Sequence, residues 1–254
     1  MKTAVIWASL IYCATLLLSE SVFAAKLPEE AFLREAKAEE SKRGDELAKT
    51  MIQSLGGMDA FRKIRTLSFD FIVERDGKTL MNRIHHWDLH EGLSHIKGKK
   101  DKQDVELFLN LNDKSGRVFV DGKEIVDASE KTPFLELGYS WWTNDSYWLV
   151  SPFKAFDQGV KRAAIGKGLR TTFENVGLTP GDGYIYEFDA AGMLKGWQFR
   201  LQSKNRGAFV FANPVKIHGV TFFKDKESDG FAIRHGQIRG SLEKDPTLFS
   251  PGKS

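Results

Sequence analysis

The residues best suited to chemistry lie together in the run His85-His86-Trp87-Asp88-Leu89-His90. If this run forms a β-strand, His86, Asp88 and His90 point to the same face, because side chains alternate along a strand. Imidazole and carboxylate groups are ligands that zinc and other transition metals accept. A metal-dependent envelope enzyme that uses these three residues is therefore one hypothesis.

The spacing of these residues favours a simpler interpretation. Three ligands on a straight strand spread over about 13 Å at about 3.3 Å per residue, so that only neighbouring pairs converge on one ion. A complete site needs a further ligand, such as His218 or His235. The competing interpretation is an amphipathic strand with its polar face in solvent and with Trp87 and Leu89 facing inward. We favour this interpretation and predict no cofactor.

Other catalytic signatures are missing from the sequence. It contains no G-x-S-x-G, H-E-x-x-H or G-x-x-x-x-G-K-[ST] motif. The 34 acidic residues supply carboxylate pairs by chance, so Glu174, Glu187 and Asp189 are interpreted as surface groups. The sequence therefore does not indicate an enzyme.

The N-terminus is typical of a cleavable secretory signal peptide. An uncharged apolar run extends from Ala4 to Leu18, and Val22-Phe23-Ala24 fits a cleavage site. We predict a signal peptide over residues 1–24 and a periplasmic location for the mature protein. The apolar run is too short for a membrane anchor, so we predict no transmembrane segment in the mature chain.

Composition excludes several classes of function. The one cysteine, Cys13, lies in the predicted signal peptide, so the mature chain has no disulfide and no thiolate metal site. The net charge is +3, and basic and acidic residues are mixed along the chain. Because nucleic-acid binding requires a clustered basic face, we predict no nucleic-acid partner.

An N-terminal helix and an antiparallel meander follow. Leu47, Met51 and Leu55 recur at helical spacing, and Asp59 is a candidate cap for a second, short helix. From Thr66 onward the apolar period is two, which predicts strands. The pairs Asp76-Gly77 and Asp121-Gly122 predict two-residue hairpin turns, since both central positions need positive φ.

The middle of the chain is rich in aromatic residues. Phe134 to Phe153 predicts a helix that is interrupted near Asn144, where Asn144 or Asp145 caps a second short helix, and that ends at Pro152. From Leu169 onward, apolar and polar residues alternate again, as is typical of strands. Strands are predicted at Leu169–Val176, Tyr184–Phe188, Trp197–Leu201, Ala208–Ala212, Val215–Lys224 and Phe231–Arg239.

No composition shift marks a linker, so a single domain over residues 25–254 is predicted. The expected fold class is α+β and mostly antiparallel β. In detail, we expect a curved, incomplete β-barrel with an N-terminal helix and an inserted helical lid, because a sheet with so many strands must curl or split.

Two stretches carry a resemblance to a known group, NDSYWLVSPFKAFDQGV from Asn144 to Val160 and FENVGLTPGDGYIYEFD from Phe173 to Asp189. With the order of the elements, they resemble an uncharacterised branch of the periplasmic lipoprotein-carrier superfamily, which includes the outer-membrane lipoprotein localisation proteins. The resemblance implies an incomplete antiparallel barrel with a helical lid, and an apolar ligand or acylated protein carried between them.

The apolar residues give candidate positions for such a cavity. The candidates for the concave face are Leu67, Phe69, Phe71, Leu107, Leu109, Trp197 and Phe199. The candidates for the lid are Trp141, Trp142, Tyr147 and Trp148. The alternative interpretation makes the same residues ordinary core, in a solidly packed structural protein that binds envelope partner proteins.

Overall fold

The computed structural model describes residues 26–174 and 178–251. The predicted signal peptide, Met1 to Ala24, lies outside the described residues. The chain divides into two compact units. The described residues of the first unit are 26–51, 155–174 and 178–210, and those of the second unit are 52–154 and 211–251.

Fourteen strands and four α-helices occur in the described residues. The strands are β1 (Thr66–Arg75), β2 (Lys78–Asp88), β3 (Leu93–Lys100), β4 (Gln103–Asn110), β5 (Gly116–Val120), β6 (Lys123–Glu124), β7 (Val160–Ile165), β8 (Gly168–Phe173), β9 (Gly183–Phe188), β10 (Leu194–Arg200), β11 (Arg206–Ile217), β12 (Val220–Ser228), β13 (Phe231–Arg234) and β14 (Arg239–Ser241). The helices are α1 (Glu30–Leu33), α2 (Ala38–Ser54), α3 (Met58–Lys63) and α4 (Ala128–Val150). This content confirms the α+β, mostly antiparallel class, whereas the curved barrel and the lid stay predictions.

The helices differ in places from the sequence-based expectation. The N-cap of α3 is Gly57, and Asp59 lies in its first turn instead of capping it. Short 3₁₀ helices cover Ser151–Lys154 and Pro246–Phe249. None of the described helices is both long and apolar enough to cross a lipid bilayer.

The strands of the second unit form an open antiparallel order. It runs β6-β5-β4-β3-β2-β1-β13-β12-β11, and β14 also pairs with β1. Both predicted hairpin turns are confirmed. Asp76 and Gly77 have φ values of 48° and 73°, and Asp121 and Gly122 have values of 48° and 77°.

One predicted strand, Val215–Lys224, is wrong because it contains a turn. β11 ends at Ile217 and β12 begins at Val220, and His218 and Gly219 between them have φ values of 47° and 88°. Residues paired across a two-residue turn lie on the same face, so the apolar positions shift from odd numbers (Val215 and Ile217) to even numbers (Val220 and Phe222). The prediction missed this change of phase, which marks the hairpin.

The strands of the first unit follow the order β11-β10-β9-β8-β7. Phe32 of α1 packs against Ile185 of β9. The Arg170 guanidinium on β8 is buried and donates to the carbonyl oxygens of Ala31 and Arg34, at 3.0 and 2.8 Å. These bonds satisfy carbonyl groups at the C-terminal end of α1, which the helix itself leaves unpaired.

Helix α2 approaches the backbone of β7 at Gly44. A Cβ atom added to Gly44 would lie 2.6 Å from both the Cα and the N atom of Ala163. We expect Gly44→Ala to lower the free energy of unfolding by about 1–3 kcal/mol, because backbone atoms cannot yield to the new methyl group. This expectation holds even though alanine has a helix propensity about 1 kcal/mol better than glycine.

Urea denaturation of the purified variants measures this effect. Lys49→Ala, at an exposed position of the same helix, is the matched control and should change the stability by no more than about 0.5 kcal/mol. A gain in stability for Gly44→Ala would contradict the close packing of α2 on β7.

Candidate functional site

The inner face of the second unit is defined by the inward side chains of β1 to β5. Strand register places these side chains in rows that cross all five strands. The central row is Phe69, His85, Ile96, Leu107 and Val118, and a second row is Leu67, Trp87, Ser94, Leu109 and Gly116. The face is therefore largely apolar, with polar groups at a few positions.

Helix α4 covers this inner face. Asp127 caps the helix by accepting hydrogen bonds from the backbone N–H groups of Ser129 and Glu130, so α4 begins at Ala128 and not at Phe134 as predicted. The predicted interruption near Asn144 is also wrong, because the helix continues to Val150. The side chain of Asp145 does not cap a second helix, and points to the sheet.

Two glycines permit close contact between α4 and the strands. A Cβ on Gly138 would lie 2.6 Å from Leu107 Cδ1 and 2.8 Å from Leu109 Cδ1. A Cβ on Gly98 of β3 would lie 2.7 Å from Arg83 Cγ and 3.4 Å from Trp141 Cζ3. The missing side chains thus leave room for α4 on β4 and for the Arg83 stem beside β3.

A buried polar cluster joins α4 to β2. Arg83 donates from Nε to Asp145 Oδ2 at 2.7 Å and from Nη2 to Oδ1 at 3.0 Å. His85 Nε2 lies 2.8 Å from Asp145 Oδ2, and Asn144 Nδ2 donates to Oδ1 at 2.9 Å. The side chain of Asp145 is fully buried, and that of Arg83 is 7% exposed. The carboxylate is therefore held by three side chains away from water.

These contacts fix the ionisation of Asp145. Burial alone raises the pKa of this carboxyl, but the charge of Arg83 and the hydrogen bonds from His85 and Asn144 outweigh burial and hold the pKa below its ordinary value. An ionised carboxylate only accepts hydrogen bonds, so His85 donates through Nε2–H. Within the described residues, the buried Nδ1 atom of His85 then has no hydrogen-bond partner.

His235 and Lys226 extend the polar cluster along the inner face. The Phe69 ring stacks on the His85 ring at 4.9 Å between centroids and lies 5.7 Å from the His235 ring. Lys226 Nζ donates to the Phe223 carbonyl oxygen at 2.7 Å and lies 3.5 Å from His235 Nδ1. Two imidazoles and one amine thus share an apolar setting.

Burial favours the deprotonated forms of Lys226 and His235. Burial lowers the pKa of Lys226 to about 7, although the negative charge of Asp225 acts to raise it. Burial, followed by the charge of Lys226, lowers the pKa of His235 well below its ordinary value. The buried Nε2 atom of His235 has no hydrogen-bond partner among the residues that the structure describes.

The residues predicted for the cavity occupy both units. All those from β1 and β4 are buried on the inner face, namely Leu67, Phe69, Phe71, Leu107 and Leu109. Trp141 on α4 is buried in the same cluster as Leu107 and Leu109, and Trp142 packs against that cluster. Tyr147 and Trp148 are half-buried on α4. Their assignment to a ligand cavity stays a prediction.

Trp197 and Phe199 belong to the first unit. Both are buried on β10, where the Tyr184 ring lies 4.8 Å from the Trp197 ring and 6.4 Å from the Phe199 ring. The Tyr186 ring lies 5.7 Å from the Trp197 ring. These residues are therefore part of the aromatic interior of that unit.

Of the proposed metal ligands, His86 and Asp88 lie on β2, whereas His90 lies in the turn after the strand ends, so the three do not share one strand face as predicted. Each of them contacts another group. Asp88 accepts from Arg65 Nε at 2.9 Å and from the backbone N–H groups of His90 and Glu91. His86 Nδ1 lies 2.8 Å from Ser68 Oγ, and His90 Nε2 lies 2.8 Å from the Arg62 carbonyl oxygen. In residues 26–174 and 178–251, no three His, Cys, Asp or Glu side chains are arranged to hold a metal ion.

Sequence reasoning missed the polar cluster, although part of its signal was present. Trp87 was placed on the inner face, and the two-residue period then places His85 and Arg83 on the same face. Asp145, in a helix otherwise dominated by aromatic and small residues, was the second signal. The pairing of these residues was not visible, because Arg83 and Asp145 are 62 residues apart.

Comparison with models of known protein families finds no match, and comparison with curated proteins finds no significant match.

Proposed function

We propose that this protein is an exported carrier that binds a lipid or an acylated protein on the inner face of the second unit, with α4 as a movable cover. One observation carries the proposal. Helix α4 packs on the apolar face through Leu135 and Trp141, and it also buries a carboxylate there, Asp145, held by Arg83 and His85.

The buried ion pair makes this cover easier to displace than an apolar one. Attraction between buried charges is largely offset by the loss of their hydration, so such a pair contributes little net stability. When α4 leaves, Arg83 and Asp145 regain water. The helix and the sheet therefore separate at a lower cost than two apolar surfaces of the same area.

The energy of binding would come from the apolar face itself. Each CH₂ group that a ligand buries contributes about 0.8 kcal/mol, so an acyl chain supplies enough energy to compete with α4. Phe69, Leu107 and Leu109 lie where such a chain would be buried once α4 has moved. The predicted secretory signal supports a periplasmic location for the proposed activity.

A second candidate is a solidly packed protein that binds envelope partners through its surface. The close approach of Gly138 to Leu107 and Leu109 favours it, since α4 fills the space over β4. The two candidates differ in whether α4 moves, and a reversible crosslink separates them.

A disulfide between positions 138 and 107 would hold α4 on the sheet. A Cβ at position 138 would lie 3.6 Å from Leu107 Cγ, so the side chains of Gly138→Cys and Leu107→Cys would face each other across the helix–sheet contact. In a Cys13→Ser background, we expect the reduced protein to bind the fluorescent apolar probe N-phenyl-1-naphthylamine. We expect oxidation to weaken binding by about tenfold or more, because the apolar face then stays buried.

The wild-type chain, treated with the same oxidant, is the control. Equal probe binding by the oxidised and reduced forms would show that α4 is not the cover. Absence of binding by the wild type, together with a ligand-free mass in native mass spectrometry of protein purified from its producing cells, would favour the packed, partner-binding candidate.

A further inference from the structure

The strands and the helix contribute opposite charges to the inner face. Strand β2 brings the Arg83 guanidinium and the His85 imidazole. Helix α4 brings the carboxylate of Asp145. The other carboxylate, that of Asp225, has different partners. Its Oδ1 atom lies 3.3 Å from Arg234 Nη1, and its Oδ2 atom accepts a hydrogen bond from Asn213 Nδ2. The Asp145 carboxylate is therefore the acid that directly contacts Arg83 and His85.

Displacement of α4 removes this carboxylate from the basic groups. A ligand that then covers the face buries the Arg83 guanidinium again, beside Phe71, whose ring centroid lies 5.5 Å from the guanidinium carbon. A buried guanidinium without a counter-charge is strongly unfavourable. A wholly apolar ligand would leave this charge uncompensated, whereas a ligand with an acidic end would neutralise it.

We infer that the ligand is a long-chain fatty acid, whose carboxylate takes the place of the Asp145 carboxylate on Arg83 and His85 while its chain covers the apolar rows. This inference rests on the proposed function. Asp145 shows what the site accepts, since Arg83 meets its two oxygens side by side at 2.7 and 3.0 Å. A planar group with two oxygens reproduces that geometry, which is the strong bidentate mode of arginine.

The His85 imidazole offers a further contact to the same head group. Its Nε2 atom lies 2.8 Å from Asp145 Oδ2 and would donate to a ligand oxygen in the same position.

The test compares ligands of equal chain length and different head group. We expect the wild-type protein to bind palmitate about tenfold or more tightly than hexadecanol, because a charge-assisted bidentate bond is made only by the carboxylate. Arg83→Gln should reduce this preference to about threefold or less. Arg117→Gln is the matched control, since Arg117 forms a bidentate pair with Glu124 on the exposed surface, and it should leave the preference unchanged.

A second variant keeps the inference testable if Arg83→Gln does not fold. Asp145→Asn retains the shape of the side chain and removes the competing charge, so the preference for palmitate over hexadecanol should increase. Equal binding of palmitate and hexadecanol by the wild type would overturn the inference and leave the carrier proposal standing. Tighter binding of dipalmitoyl phosphatidic acid than of palmitate would overturn it in favour of a phosphate head group. Absence of binding by all three ligands, in a protein that binds N-phenyl-1-naphthylamine, would overturn the inference alone. Absence of probe binding as well would overturn both.

Discussion

Replacement of Asp145 with alanine is expected to lower the free energy of unfolding by about 3–5 kcal/mol, because it leaves a buried cation unpaired. The Arg83 side chain is 7% exposed and that of Asp145 is fully buried, so water does not compensate for the lost carboxylate. His85 loses the acceptor for its Nε2–H group in the same step. Urea unfolding followed by tryptophan fluorescence measures the loss.

A double replacement separates the charge effect from the loss of packing. Arg83→Met combined with Asp145→Leu removes both charges and retains apolar volume, so its loss should be smaller than that of Asp145→Ala by about 1–4 kcal/mol. Glu124→Ala is the surface control, since its partner Arg117 is 49% exposed, and it should cost about 1 kcal/mol or less. Similar small losses for Asp145→Ala and Glu124→Ala would contradict the buried cluster.

Replacement of Lys226 with methionine is expected to stabilise the protein by about 1–4 kcal/mol at pH 7, since a buried polar cation gives way to an apolar side chain. The folded pKa of Lys226 is about 7, compared with 10.5 for an ordinary lysine. Between these values the unfolded chain binds more protons, so the stability of the wild type rises with pH. Below pH 7 both states are protonated and the cost of the buried charge is complete.

The difference between Lys226→Met and the wild type should therefore be largest at or below pH 7 and shrink toward pH 10. Thermal unfolding at several pH values measures it. Lys99→Met is the control, because the Lys99 side chain is 63% exposed and its pairing with Asp104 is at the surface. A stabilisation that does not change between pH 7 and pH 10 would show that packing, and not the charge, is responsible.

Much of the sheet could be predicted because local patterns specify it. The alternation of Leu67, Phe69 and Phe71 gives β1, since a half-buried strand requires a period of two. Asp76-Gly77 gives the first hairpin, since few residue pairs accept positive φ twice. The predicted start of α4 at Phe134 is wrong because the aromatic stretch covers only part of the helix, which extends through Pro133 to Ala128. The cap at Asp127 determines the start, and α4 accommodates the proline in its interior.

The polar cluster shows where local patterns stop being informative. The alternation of side chains along β2 is sufficient to place Arg83 and His85 on the inner face with Trp87. Which turn of α4 lies over them depends on how the helix packs on the sheet. That packing is set by Gly138 of α4, which lies against β4, and by Gly98 of β3. Contacts between elements so far apart in sequence leave no periodic signal. The partner of Asp145 could not be derived for this reason.

The strand order of the second unit also has a kinetic consequence. β1 to β6 are joined by short connections, so each strand can pair with its neighbour as soon as the two have been synthesised, with little loop-closure entropy. The other edge of β1 pairs with β13, and Glu74 and Arg234 in these two strands are 160 residues apart. We expect this non-local pairing to form late and to slow folding, because contacts that are distant in sequence cost more loop-closure entropy. Until it forms, this edge of β1 presents unpaired backbone groups that can pair with another chain.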